Sequence, residues 1–137
     1  MIFETILQPR FCDADILGHV SNTIIPVWFE ESRRPIFLAM QPEINIKNWA
    51  FVIAHINVDF HLQTFIEQDV LLRTHVSKIG TKSLEIYHEA WQQGRKTASG
   101  TAVLVHFDFK TQTSQAIPEE ILQRLYTIVE DLPSGKE

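Results

Sequence analysis

Arg10-Phe11-Cys12-Asp13-Ala14-Asp15-Ile16-Leu17-Gly18-His19-Val20-Ser21-Asn22 packs two carboxylates, a glycine, a histidine and a helix start into one short run, and no other segment concentrates chemistry in this way. Gly18 allows a tight or left-handed backbone. Ser21, Asn22 and Thr23 are all N-cap residue types, so a helix is expected from about Thr23 towards Met40. Pro26 helps place its start, because proline is tolerated only in a first turn. Ile24, Ile25, Val27, Trp28, Phe29, Ile36, Phe37, Leu38 and Met40 cannot share one narrow stripe, and a helix apolar nearly all round belongs in a core. Its charges sit together as Glu30, Glu31, Arg33 and Arg34, with Glu30 and Arg34 at the i,i+4 spacing of a supporting pair. Pro35 removes the bond to the Glu31 carbonyl, which predicts a break near Arg34 and a short second turn up to Met40. Residues 12–22 then form a connecting loop, and a hydrolytic site is expected from Asp15 and the start of the helix.

Working outward, residues 2–11 read as a strand with Phe3, Leu7 and Phe11 on one face and Glu4, Gln8 and Arg10 on the other, although Pro9 favours an edge position. Residues 41–49 have a loop composition. Four strand-like runs follow. In 50–62, Val52, Ala54, Ile56, Val58, Phe60 and Leu62 alternate with His55, Asn57, Asp59 and His61. In 69–79, Val70, Leu72 and Val76 share a side. Residues 83–92 lead into Gln93-Gly94, a hairpin signal. Residues 96–109 are nearly uncharged, as suits a central strand covered on both faces. Pro118, Glu119 and Glu120 open a final amphipathic helix with Ile121, Leu122, Leu125 and Val129 as its stripe, ended by Pro133 and Gly135. The order strand, helix, four strands, helix implies an α+β fold with an antiparallel sheet curled around the first helix.

The bulk properties bound the function. A chain of 137 residues with 45% hydrophobic residues is expected to form a single domain over 1–137 with a real core. A net charge of −5 argues against a nucleic-acid partner. Cys12 is the only cysteine, so no internal disulfide forms, and a reducing, cytoplasmic setting is expected. No secretory signal and no membrane span are visible. His55, Asp59 and His61 share a face of a regular strand, but the two histidines would stand about 20 Å apart at roughly 3.3 Å per residue, too far for one ion, so no metal is expected. Cys12 lacks an activating base and reads as a small packed residue.

The opening run, continued by Phe29-Glu30-Glu31-Ser32-Arg33, resembles the 4-hydroxybenzoyl-CoA thioesterase family of the hotdog fold. Its signature is approximately Arg-aromatic-x-Asp-x-Asp-x-x-Gly-His-Val-Asn-Asn followed by an aromatic-Glu-Glu-x-Arg helix. Val58-Asp59-Phe60, Gln68-Asp69, Ile79-Gly80-x-x-Ser83, Ala98-x-Gly100, and Val105-His106-Phe107-Asp108 before Ile117-Pro118 agree in order. The match covers roughly residues 3–125. Ser21 stands where the family often has asparagine, Ile25 where it often has tyrosine, and Pro26 and Pro35 lie in a helix usually free of proline.

The resemblance implies a five-stranded antiparallel sheet wrapped around a central helix, with a C-terminal helix. It also implies an active site at a subunit boundary in a homodimer or homotetramer, an acyl-CoA substrate and no cofactor. Asp15 matches the catalytic aspartate, acting as nucleophile or general base. Asp13 is expected to be structural. His19 would bond Asp15 or the substrate carbonyl, or fix the loop. Gly18 lets substrate approach the backbone, and the amide of Asn22 with the positive helix end would polarise the thioester carbonyl. Ile25 and Ser83 are the expected substrate contacts. Glu30 and Glu31 offer a rival carboxylate on the helix. A hotdog dehydratase or hydratase, and a non-catalytic acyl-thioester binding module, are the alternative readings.

Overall fold

Proline decides how the central helical segment runs. The computed structural model describes residues 1–130, and there the segment is two helices, α1 (Ile25–Ser32) and α2 (Arg34–Met40), each with a proline in its first turn. They meet at Arg33, one residue before the expected break. The Arg33 N–H bonds the Glu30 carbonyl at 3.2 Å, and regular bonding resumes with Phe37 N–H to Arg33 O at 3.0 Å. That tightened turn brings residues three apart into line. Arg34 therefore pairs with Glu31 at 3.0 Å rather than with Glu30. The apolar circumference is also divided. Trp28, Phe29, Ile36 and Met40 are buried, whereas Val27 and Leu38 are 51% and 46% exposed.

The strands are β1 (Phe3–Leu7), β2 (Phe51–Phe60), β3 (Val70–Ile79), β4 (Ser83–Gln92), β5 (Arg95–Asp108) and a short β6 (Thr113–Ser114). All pairs are antiparallel, in the order β1-β3-β4-β5-β2, with β6 on the end of β5. The sheet wraps the helices as a hotdog fold. Strand β1 is shorter than expected. Pro9 ends it, and residues Phe11–Asp13 form a 3₁₀ turn that leaves Phe11 89% exposed instead of on the strand's inner face, and Cys12 exposed instead of packed. The β4–β5 hairpin closes on Gln93 and Gly94, both at positive φ (50° and 74°), as a two-residue turn requires. Strand β5 lies between β4 and β2, as its uncharged run predicts.

Strand β2 departs from simple alternation. Ile53 pairs with Leu104 and His55 with Val103, leaving Ala54 as a bulge. A bulge shifts the inward set by one residue. Phe51 rather than Val52 enters the core at one end, while Val58 packs inward at the other. Because β2 is an edge strand, Ile56 and Phe60 stay 49% and 54% exposed. Helix α3 (Glu119–Ile128) buries Ile121, Leu125 and Ile128 against α2 and β3. Val129 lies just beyond it, bridging Val76 of β3. The expected stops at Pro133 and Gly135 lie outside the described residues.

A polar group ties helix to sheet between the two apolar clusters. His88 of β4 stacks on Phe29 with centroids 4.9 Å apart. Its Nδ1 lies 3.0 Å from the Gly100 carbonyl and its Nε2 lies 3.2 Å from Arg33 Nη1. A carbonyl only accepts and a guanidinium only donates, so the ring is the neutral Nδ1–H tautomer. Burial, opposed by the Gly100 bond and reinforced by the Arg33 charge, holds the imidazole down at about 3. Gly100 must be glycine here, because a Cβ would lie 2.2 Å from the Asn57 carbonyl oxygen of β2.

Two outcomes follow from this tie. His88→Leu leaves Arg33 buried without its acceptor and should cost about 3 kcal/mol, while Arg33→Met with His88→Leu should recover most of it, as chemical denaturation measures. The folded state keeps His88 neutral, whereas the unfolded chain protonates it near its ordinary 6.5. Its contribution is full above that value and is lost as pH falls toward 3. His88 alone should raise the unfolding constant by up to about tenfold per pH unit in that window, and His88→Gln should lower the observed slope by that one proton.

Candidate active site

Asp13 and Asp15 have different surroundings although they are next-but-one neighbours. Asp13 is fully buried and accepts from Arg10 three times, at the backbone N–H (2.9 Å), Nε (3.1 Å) and Nη2 (2.8 Å). Burial works to raise its carboxyl, but the bonds and charge of Arg10 outweigh it and hold Asp13 below the usual range. Its main-chain carbonyl accepts the Ser21 N–H at 2.8 Å, so Asp13 pins both ends of the loop.

Asp15 is exposed at the loop's other side. Its Oδ1 accepts the backbone N–H groups of Leu17 (2.8 Å) and His19 (3.2 Å). The Asp15 N–H returns a bond to the His19 carbonyl at 2.7 Å, and Gly18 N–H bonds the Asp15 carbonyl at 3.1 Å. Gly18 makes the turn at φ 81°, a conformation few side chains adopt. Oδ2 has no hydrogen-bond partner among the described residues. The His19 ring rests edge-on against Phe65, with centroids 5.3 Å apart, and it is the His19 main chain that holds Asp15.

The start of α1 is open. The cap position falls on Ile24, which makes no side-chain cap bond. Ser21 and Thr23 satisfy each other through their hydroxyls at 2.9 Å, and the Thr23 N–H bonds Ser21 Oγ at 3.3 Å. The Asn22 N–H has no partner among the described residues. Asp15, Asn22 and Ile25 together line a cleft of about 540 Å³.

Phe60, His61, Leu62, Gln63 and Thr64 also line the cleft, and none was singled out from sequence as a site residue. The signals available were Val58-Asp59-Phe60, a marker of order, and the alternation that carried the expected strand to Leu62. Strand β2 instead ends at Phe60, and residues 61–64 turn into the cleft. His61 Nε2 is tied to Ser99 Oγ at 2.8 Å. Ser83 stands elsewhere. Phe60 pairs with Ala98 and Ser83 with Val105, about 23 Å apart along β5 at roughly 3.3 Å per residue. Glu31 is held by Arg34, and neither Glu30 nor Glu31 lines the cleft. Among the described residues no three His, Cys, Asp or Glu side chains converge as metal ligands would, and no helix is long and apolar enough to cross a membrane.

Comparison with known proteins gives one family. The chain is 30% identical over 122 residues to the 1,4-dihydroxy-2-naphthoyl-CoA hydrolase of Nostoc punctiforme (strain ATCC 29133 / PCC 73102), covering 86% of this chain and 82% of that protein. A predicted thioesterase from Bacillus stearothermophilus shares 38% identity and superposes with a TM-score of 0.92 over 97% of this chain and all of the other. A thioesterase from Thermus thermophilus, solved with coenzyme A and Zn, shares 27% identity with a TM-score of 0.82, over 90% of this chain and 91% of that one. The sequence pattern of the thioesterase-like superfamily matches residues 9–125, a span that contains the cleft lining, and the chain belongs to that superfamily.

Proposed function

We propose that this acyl-CoA thioesterase hydrolyses its substrate in the cleft between Asp15 and the open start of α1, releasing a free acid and CoA. The observation that carries this reading is the pairing of opposites across one cleft wall: a carboxylate oxygen and a main-chain N–H, both without partners among the described residues. The thioester carbonyl accepts from the Asn22 N–H and lies at the positive end of α1, which stabilises negative charge developing on its oxygen. Asp15 either attacks the carbonyl carbon, giving a mixed anhydride that water then cleaves, or takes a proton from an attacking water. In both cases the C–S bond breaks and the sulfur leaves as the CoA thiol. Gly18 keeps the approach to the carbonyl clear. His19 serves through its main chain, and Ile25 with Phe60 bounds the acyl group.

A second copy of the chain belongs to this proposal. Strand β2 is a long edge with Ile53, Ile56 and Phe60 46%, 49% and 54% exposed, and such an edge requires cover. Pairing β2 with β2 of a second copy, antiparallel about a two-fold axis, supplies it and closes the cleft from the Phe60 side. We place the protein in the cytoplasm, where acyl-CoA is made and a lone thiol such as Cys12 stays reduced.

Asp15→Asn should lower kcat by about a thousandfold while leaving the thermal midpoint and the oligomeric state unchanged, as thiol release, calorimetry and light scattering report. Retained activity in that variant refutes the mechanism. Thiol release over a panel of aliphatic and aromatic acyl-CoAs, including the substrate named for the Nostoc relative, identifies the acyl class. Tight binding without release across the whole panel would refute hydrolysis. Ile56→Lys should convert the dimer to monomer and lower activity with it, read by sedimentation and thiol release on the same sample.

A further inference from the structure

Gln92 is the last residue of β4 and is 4% exposed, an unusual place for a side-chain amide. Every bond that its side-chain amide makes goes to one segment that has no regular structure of its own. Its Oε1 accepts the Phe65 N–H at 2.9 Å, and its Nε2 donates to the Phe65 carbonyl at 2.6 Å and to the Gln68 carbonyl at 3.1 Å. The amide thus substitutes for a strand neighbour at Phe65. The same segment is fixed at its start by β5. Ala90 pairs with Ala98 and Trp91 with Lys96, so Thr97 is a bulge, and its freed carbonyl accepts the N–H groups of His61 (2.8 Å) and Leu62 (3.1 Å).

What this segment holds is the loop that carries Asp15. Thr64 O accepts the Val20 N–H at 2.8 Å, His19 and Phe65 form an antiparallel bridge, and the His19 ring packs on the Phe65 ring. His19 in turn donates its N–H to Asp15 Oδ1 and accepts the Asp15 N–H. We infer that Gln92 is a positioning residue for Asp15, acting through Phe65 and His19 from the rigid end of the β4–β5 hairpin. It touches neither substrate nor Asp15. It sets where two parts of the cleft lining stand relative to each other, because residues 60–64 and the Asp15 loop both line the cleft. The kinetic consequence rests on the hydrolase reading, whereas the structural consequence does not, and the test separates them.

Two variants of the protein are needed. Gln92→Met keeps length and volume but removes all three bonds. Gln92→Glu keeps the acceptor for the Phe65 N–H and turns an oxygen toward the Phe65 and Gln68 carbonyls, which repel it until the introduced carboxyl takes a proton and becomes a donor. Amide hydrogen exchange should speed up by about tenfold or more at Leu17, His19 and Val20 in Gln92→Met, with the Leu84–Leu104 pairing unchanged. With an acyl-CoA that the wild type turns over, kcat should fall about tenfold to a hundredfold at alkaline pH in both variants, with KM within about threefold. The ratio of Gln92→Glu to wild-type kcat should then climb as pH falls, and that of Gln92→Met should not. Unchanged exchange at Leu17 and His19, an equal increase across the whole sheet, or a loss confined to KM would overturn the assignment. If the exchange pattern appears but the wild type releases no thiol from any acyl-CoA, the positioning role stands and the hydrolase reading falls.

Discussion

His88 is held between a group that can only give a proton and a group that can only accept one, and the seating of the helices on the sheet rests on that constraint. The imidazole joins Arg33, at the joint of the two helices, to the Gly100 carbonyl in the middle of the sheet. Gly100 is paired with Val58, two residues from Phe60 of the cleft lining. Arg33 lies about 12 Å along α1 from Ile25, also of the lining, at roughly 1.5 Å rise per residue. One buried ring therefore ties the joint of the two helices to the middle of the sheet, and the cleft lies beyond both ends of that row. A buried guanidinium is costly unless its donors are matched. Arg33 Nε has no hydrogen-bond partner among the described residues, so the His88 lone pair and the nearby Glu30 charge are what make the guanidinium tolerable there.

Apart from Ile25 of α1 and Phe60 of β2, the cleft is lined by backbone that is neither helix nor strand. Such backbone needs partners for its polar groups, and here side chains and bulges provide them. The buried Asp13 carboxylate gathers Arg10, the Thr97 bulge gathers His61 and Leu62, and the Gln92 amide gathers Phe65 and Gln68. Each is a polar group withdrawn from solvent and fully engaged, which gives a loop some of the precision of a regular element. Asp15 differs because one of its oxygens is left over, and a leftover acceptor beside an uncapped helix end is where chemistry can begin.

Much of this arrangement is legible in the chain itself. The shared face of Val70, Leu72 and Val76 marks one strand, Gln93-Gly94 marks the turn that ends the next, and the uncharged run after it marks a central strand, as found. Pro26 and Pro35 announce a start and a break, because a missing N–H and a fixed φ act locally. The different standing of Asp13 and Asp15 was expected from their positions in a recognised pattern. What stayed hidden are events of one residue and contacts across distance. Nothing in the composition of β2 marks Ala54 as a bulge, so the face assigned to Val52 was wrong by one. The 3₁₀ turn at Phe11 and the two-residue β6 are too short to carry a period. Exposure of Val27 and Leu38 reflects how far the sheet reaches around the helices, which a helical pattern does not encode. The role of Gln92 depends on a segment more than twenty positions away in the chain.

The Ala54 bulge works as a change of phase within one strand. Before it, β2 serves the core through Phe51; after it, the same strand serves the cleft through Phe60. A strand of period two keeps both appointments only if the number of residues between them is right. The middle of β2 is therefore free in composition and fixed in length. Many side chains will serve from Ile53 to Asn57, but the gain or loss of a single residue there turns one end of the strand inside out. Relatives of this protein should vary in that segment by substitution and not by insertion or deletion.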